Sequence, residues 1–404
     1  MVVCFMEVIM DPIKNPFSPG AGAPPPELVG RGEILETARI NLLRVQQGKP
    51  ERSLLLTGLR GVGKTVLLNK IGGIAADNDC LRISLEALES KPFIESLVPG
   101  LRSVLISLSL KEGVKDSVEK AISVFKSFVG SMKVKFGDFE FGVDIPPTKG
   151  IADSGKIELD LPDLFVAAAT CAKNKGTSIV LLIDELQYLS KEDLSALILA
   201  MHKIQQEQLP FFLVGAGLPS LPGLAGEAKS YAERLFLYPK IGPLGREETK
   251  RALQNPVRAL GVTFTEDALE KIYLKTQGYP YFVQEWGSLS WRIAAQTPIS
   301  VEVVNTVNEV VTPKLDESFF RVRFDRLTNS EKTYLLAMAK LGKGVQRTGD
   351  IAREMHASVQ QLTPTRSNLL KKGMIYSPSH GLQAFTVPLF DEFMLRVMPR
   401  LEEE

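Results

Sequence analysis

An α/β fold with a central parallel sheet is predicted by three stretches of this chain. "SLLLT" is a short apolar run directly ahead of a glycine-rich turn, and "TVLLNKIGGIAAD" after the turn carries apolar residues at helical spacing. Ile179 to Ile183 form an uninterrupted apolar run that ends in two acids, the pattern of a strand buried on both faces. A further run of that kind opens "LPFFLVGAGLPSL".

The bulk numbers bound what this core can belong to. A chain of 404 residues is too long for one ordinary core and predicts two or three domains. Hydrophobic content of 44% against 24% charged residues fits a soluble globular protein with ample apolar surface to bury. The formal charge of +1 provides no overall field toward nucleic acid or membrane, so any such attraction must come from a local patch. Cys4, Cys80 and Cys171 share neither a CxxC nor a metal-ligand spacing, and their odd number gives no disulfide framework, as in a reducing cytoplasm. "MVVCFMEVIM" is too short to span a bilayer and contains Glu7, so no membrane partner is expected. Met10 is a candidate natural start, and residues 1–9 are given no function.

Gly58, Gly63, Lys64 and Thr65 stand in the order G-x-x-x-x-G-K-[ST]. A strand, a glycine loop and a helix are what phosphate binding requires. Backbone N–H groups at a helix N-terminus bind the anion, and glycines let the main chain approach it. Gly58, Gly61, Val62, Gly63, Lys64, Thr65 and Val66 are therefore the candidate cofactor-binding residues for ATP or ADP. Lys64 would meet the β and γ phosphates, and the Thr65 hydroxyl would ligate Mg2+. At the end of the acidic strand, Asp184 would hold magnesium through its water shell and Glu185 would polarise the attacking water.

With those motifs the chain resembles an AAA-type P-loop ATPase of the group between origin-recognition-like initiators and the STAND signalling ATPases. "ELVGRGEIL", the phosphate loop, "IDELQYL" and "TQGYPYFVQ" carry the resemblance. It implies that Val29, Gly30 and Arg31 line the base pocket, that Pro280 caps it from a helical lid, and that Arg234 in "YAERLF" is a candidate arginine finger offered to a neighbouring subunit of a homo-oligomer. Two features depart from the pattern. The strand after the acids ends in Gly215, Ala216 and Gly217 where a polar side chain usually meets the γ-phosphate, and the lid lacks the arginine that many such proteins place on the nucleotide.

The remaining segments fall in order around this core. Residues 1–26 read as an N-terminal extension and linker, with Pro16 to Pro26 extended and packed along the core. Residues 27–243 are the expected ATPase core, interrupted at about 93–160 by an insertion. There "LRSVLISLSL" and "VKDSVEKAISVFKSFVG" read as helices, and "MKVKFGDFEFGVDI" as a hairpin turning at Gly137 and Asp138. The hairpin's Phe136, Phe139 and Phe141 form a candidate docking surface for a protein partner, although such a ribbon more often packs on its own domain. Residues 244–315 are the expected lid, with a helix starting at Thr265 or Glu266.

Residues 316–404 predict three helices followed by a β-hairpin, the order of a winged helix-turn-helix. The third helix is placed in "TPTRSNLLKKG", with Thr363 as N-cap and Pro364 at its first position. From Met355 to Phe390 there is no acidic residue, and Arg366, Lys371, Lys372 and His380, with His356, make a modest basic footprint for double-stranded DNA. Two readings stay open: a nucleotide-controlled DNA-binding ATPase, and a STAND-like switch whose winged helix packs on the lid and whose ligand is a protein. Whether Arg366, Lys371 and Lys372 face solvent together discriminates them.

Overall fold

The computed structural model describes residues 10–20, 22–110, 115–132 and 145–401, the side chains of 399–401 excepted. The expected hairpin at 134–141 lies outside the described residues. Two compact units result: one holds residues 31–58 and 64–241, the other the residues up to Gly30, 59–63 and 242–404.

The first unit runs α1 (Gly32–Gln46), β1 (Ser53–Gly58), α2 (Lys64–Asp77), β2 (Leu81–Glu86), α3 (Phe93–Ser109), α4 (Lys115–Ser131), α5 (Ile157–Asn174), β3 (Ile179–Asp184), α6 (Lys191–Gln206), β4 (Phe211–Gly217), α7 (Leu221–Ala228), α8 (Ala232–Leu235), β5 (Phe236–Leu237) and β6 (Lys240–Ile241). Its sheet has the order β2-β3-β4-β1-β5, with β6 also paired to β1, and the pairings are parallel. Every residue of β1 and β4 is buried, as is β3 up to Asp184, which is why these strands are apolar without alternation. The insertion helices α3 and α4 are amphipathic and bury their apolar faces with α5 and β2 in one continuous core. Because β4 stands between β1 and β3, the ends of those two strands lie about 10 Å apart, a gap that side chains can span.

The second unit contains α9 (Arg246–Arg258), α10 (Glu266–Thr276), α11 (Pro280–Ile293) and α12 (Val301–Leu315). A π-helical turn, Asp316–Phe320, leads into α13 (Arg321–Phe324). Then come α14 (Asn329–Lys340), β7 (Gln346–Arg347), α15 (Thr348–Glu354), α16 (Val359–Lys371), β8 (Ile375–Tyr376), β9 (Leu382–Phe385) and α17 (Phe390–Leu401). The three strands form an antiparallel sheet in the order β7-β9-β8. A chain of rings joins α11 to α17. Phe282 meets Phe319 at 5.7 Å, Phe319 meets Phe320 at 5.1 Å, and Phe320 meets Phe393 at 5.3 Å between centroids.

Two expectations are corrected here. The third helix, α16, starts after Ser358 rather than at Thr363. The Ser358 hydroxyl accepts the Gln361 N–H at 3.3 Å and Gln361 Oε1 accepts the Ser358 N–H at 2.8 Å, a reciprocal cap that outcompetes the proline signal and leaves Pro364 inside the helix. The N-terminal segment, expected with the ATPase core, belongs instead to the second unit and is held on α11. Asn15 Nδ2 donates to the Ser288 carbonyl at 3.1 Å, and the Trp291 indole donates to the Asp11 carbonyl at 2.9 Å. The Phe17 ring lies where a side chain at Gly287 would begin, an ideal Cβ there falling 2.7 Å from it. A glycine on one helix therefore leaves room for a side chain from the far end of the sequence.

Candidate nucleotide site

Gly58 ends β1 and Lys64 begins α2, so the helix N-terminus opens directly from the loop that the spacing predicts. Gly61 and Gly63 have φ of +80° and +91°, conformations that side chains rarely adopt. Val62 between them is buried, while Thr65 is exposed at the first turn of α2. Lys64 is 6% exposed, and its ammonium donates to the Gly58 carbonyl at 3.0 Å.

The Thr65 hydroxyl donates to Asp184 Oδ2 at 2.5 Å, spanning the gap left by β4. Asp184 Oδ1 accepts the Glu185 N–H at 2.8 Å. These are hard oxygen donors of the kind that hold magnesium together with substrate phosphates, so the residues present fit that ion. Among the described residues no group of three or more His, Cys, Asp and Glu could hold a metal without such help.

Glu185 follows in a left-handed conformation, φ 55° and ψ 39°, strained for a residue with a side chain. The turn drives Leu186 into the core and brings Gln187 to the end of β4. Gln187 Nε2 donates to Glu185 Oε2, and Gln187 Oε1 accepts the Leu218 N–H at 3.0 Å. Sequence reasoning missed Gln187. The visible signal was the pair Gly215 and Gly217: ideal Cβ atoms there would fall 2.0 Å from Leu186 Cδ1 and 2.9 Å from Gln187 Oε1.

Of the residues expected around the base, Val29 is buried, and Arg31 and Pro280 are half-buried at the starts of α1 and α11. Gly30 has φ +72°, and a Cβ on it would meet Glu248 Oε1 at 2.4 Å. Gly278 of the "GYP" turn faces Leu244, whose N–H donates to the Gly278 carbonyl at 2.8 Å. Gly30 and the turn before Pro280 thus meet the same short stretch, Leu244 to Glu248. Arg234 is exposed on the one-turn helix α8.

Arg60 in the phosphate loop was not singled out by its sequence, yet it touches the C-terminal elements. Its N–H donates to the Thr386 carbonyl at 3.3 Å, and its guanidinium lies 2.8 Å from where a Cβ on Gly373 would stand. Beside it, Gly61 approaches Tyr281, which stacks on Phe319 at 4.9 Å, and the Arg323 guanidinium covers that Phe319 ring at 4.2 Å. Burial and the neighbouring Arg60 hold the Arg323 guanidinium below its usual range.

The expected basic footprint is only partly unengaged: Lys372 is exposed but paired, and Arg366 is half-buried. Lys372 donates to the buried Glu331 at 2.7 Å and to the Arg326 carbonyl at 3.0 Å. Arg366 is half-buried, with Nη2 on the Ser377 hydroxyl at 3.2 Å. Lys371, His380 and His356 are exposed. The physical reason is local: α14 presents Glu331 as the partner of its own capping box at Thr328, and the same carboxylate then draws in Lys372.

Among the described residues no helix is long and apolar enough to cross a membrane. Cys80 and Cys171 are free and buried, and burial raises both thiols above their usual range.

A known domain family matches the part of the chain that carries this geometry. The AAA ATPase domain matches residues 27–214, and a domain of unknown function (DUF8462) matches residues 317–394. No curated protein matches the chain. Among solved structures, the Walker-type ATPase PABY2304 of Pyrococcus abyssi is 16% identical with a TM-score of 0.56, the alignment covering 91% of this chain and 96% of that one. That likeness concerns the fold. The Aeropyrum pernix Orc1 protein in complex with DNA is 15% identical with a TM-score of 0.47, covering 93% and 94%. The RuvB Holliday junction branch migration motor of Thermotoga maritima is 15% identical with a TM-score of 0.45, covering 90% and 94%. The sheet order, the phosphate loop, the acids that close β3 and the matched model agree: residues 27–214 are an AAA-type P-loop ATPase domain.

Proposed function

We propose that this ATPase is a nucleotide-controlled switch whose output is the arrangement of its C-terminal residues, 316–404, read as a winged helix that packs on a lid formed by 244–315. The carrying observation is the contact of the phosphate loop with the base of the β8–β9 hairpin, through Arg60, Thr386 and Gly373. A loop that reshapes around phosphate would pull directly on that hairpin. In this reading Lys64 neutralises the β and γ phosphates, and Glu185 takes the proton of the attacking water. Thr65 and Asp184 would hold magnesium, which supplies charge neutralisation on the phosphates. Val29, Gly30, Arg31 and Pro280 would enclose the base. Arg234, exposed, would serve a neighbouring copy only if the protein assembles.

The ligand of the switch is more readily a protein than a duplex, because Lys372 and Arg366 are engaged within the C-terminal elements. DNA contact retains Lys371 and His380, exposed in a stretch free of acidic residues from Met355 to Phe390. Hydrogen exchange over residues 373–386 with ADP and with a non-hydrolysable ATP analogue tests the switch, and anisotropy of labelled duplex DNA in the same states tests its ligand. The expected result is nucleotide-dependent protection at 373–386 and no salt-sensitive duplex binding. Unchanged protection would overturn the switch, and duplex affinity that rises with the ATP analogue and falls with salt would restore the DNA reading.

A further inference from the structure

The strand expected to present a polar group toward the γ-phosphate ends in Gly215, Ala216 and Gly217, yet a polar side chain does reach that strand end. It arrives from β3. After Asp184 the chain turns through Glu185 in a left-handed conformation, and a single 3-10 turn, Leu186–Tyr188, carries Gln187 across to the end of β4. Gly217 leaves room for it, since a Cβ would fall 2.9 Å from Gln187 Oε1 and 3.0 Å from Leu221 Cδ2.

The amide of Gln187 has a determined orientation. The Leu218 N–H can only donate, so the atom facing it at 3.0 Å must be the carbonyl oxygen, and the amino group is left to face Glu185. A carboxylate can only accept there, so both ends of the amide are matched. Oε2 of Glu185 is thereby occupied, and among the described residues Oε1 has no partner, leaving it as the oxygen able to take a proton.

From this geometry we infer that Gln187 is a positioning residue for hydrolysis: it clamps the Glu185 carboxylate to the end of β4 and fills the place of the polar side chain that β4 lacks. The inference rests on Glu185 acting as the base in the proposed function. Preorganisation of this kind affects the chemical step and leaves nucleotide binding to the phosphate loop.

The test is steady-state hydrolysis together with binding of labelled ADP for Gln187→Met, Gln187→Glu, Glu185→Gln and the double variant Gln187→Met with Glu185→Gln. Both Gln187 variants keep the volume of glutamine, but Met loses both bonds and Glu places a second carboxylate against the first. The expected result is a loss of kcat of about ten-fold or more, KM and ADP affinity staying within about two-fold, and no further loss when Gln187→Met is added to Glu185→Gln. Normal kcat in the Gln187 variants with an inactive Glu185→Gln would overturn the assignment of Gln187 alone. Normal turnover by Glu185→Gln would instead remove the base itself. A parallel fall in kcat and ADP affinity, or further loss in the double variant, would show a structural role and overturn the clamp.

Discussion

Lys64 concentrates the site's charge at one buried point. Its ammonium already lies on the Gly58 carbonyl, so little side-chain freedom is lost when phosphate arrives. Lys64→Ala is expected to weaken binding of labelled ATP by about 100-fold, the loss of charged hydrogen bonds in a shielded site, whereas unchanged affinity would contradict the role. Glu185→Gln should bind normally and lose kcat by roughly 10²- to 10⁴-fold, measured as phosphate release. The loop and the two acids were legible in the sequence because backbone geometry and metal chemistry dictate residue type at fixed spacing. Gln187 and Arg60 were not, because their roles depend on Leu218, Thr386 and Gly373, partners far away in the chain.

At the scale of elements, the buried strands and the long helices followed from periodicity. Those that did not had weak or competing signals. Strand β7 spans two residues and exists only by pairing with β9. The expected start of α16 at Thr363 gave way to Ser358, whose reciprocal cap with Gln361 satisfies two backbone donors at once. The link between α14 and the end of α16 makes a pH-dependent prediction. Burial opposes ionisation of Glu331, but the Lys372 ammonium and the Thr328 N–H outweigh it and hold the carboxyl below its ordinary value of 4.5. Its stabilisation is therefore present above that value and is lost as pH falls through the lowered one. Lys372→Met should destabilise the fold at pH 7 by roughly 2 kcal/mol, the cost of a charged pair whose lysine is partly exposed. Urea denaturation at stepped pH should show this difference shrinking below 4.5. A difference independent of pH would mean that Lys372 contributes only packing.

For the whole molecule, length and composition predict two or three domains, and element order puts a border near Leu315. Side-chain contacts run across that border, as element order cannot reveal. The π-helical turn carries Phe319 and Phe320 between Phe282 on α11 and Phe390 and Phe393 on α17. Phe320→Ala should cost about 3–4 kcal/mol, and hydrogen exchange should show α11 and α17 losing protection together. Independent loss in either helix would mean that the rings do not couple them.

That ring chain also governs which parts of the protein can be lifted out intact. The matched C-terminal family begins at residue 317, two residues before Phe319, so a fragment cut there keeps Phe319 and Phe320 but leaves Phe282 and Trp286 behind. Such a fragment would carry its own helices and sheet yet expose the aromatic face that α11 covers, inviting self-association. What sequence families treat as a transferable module is, in folding terms, one side of a shared interior.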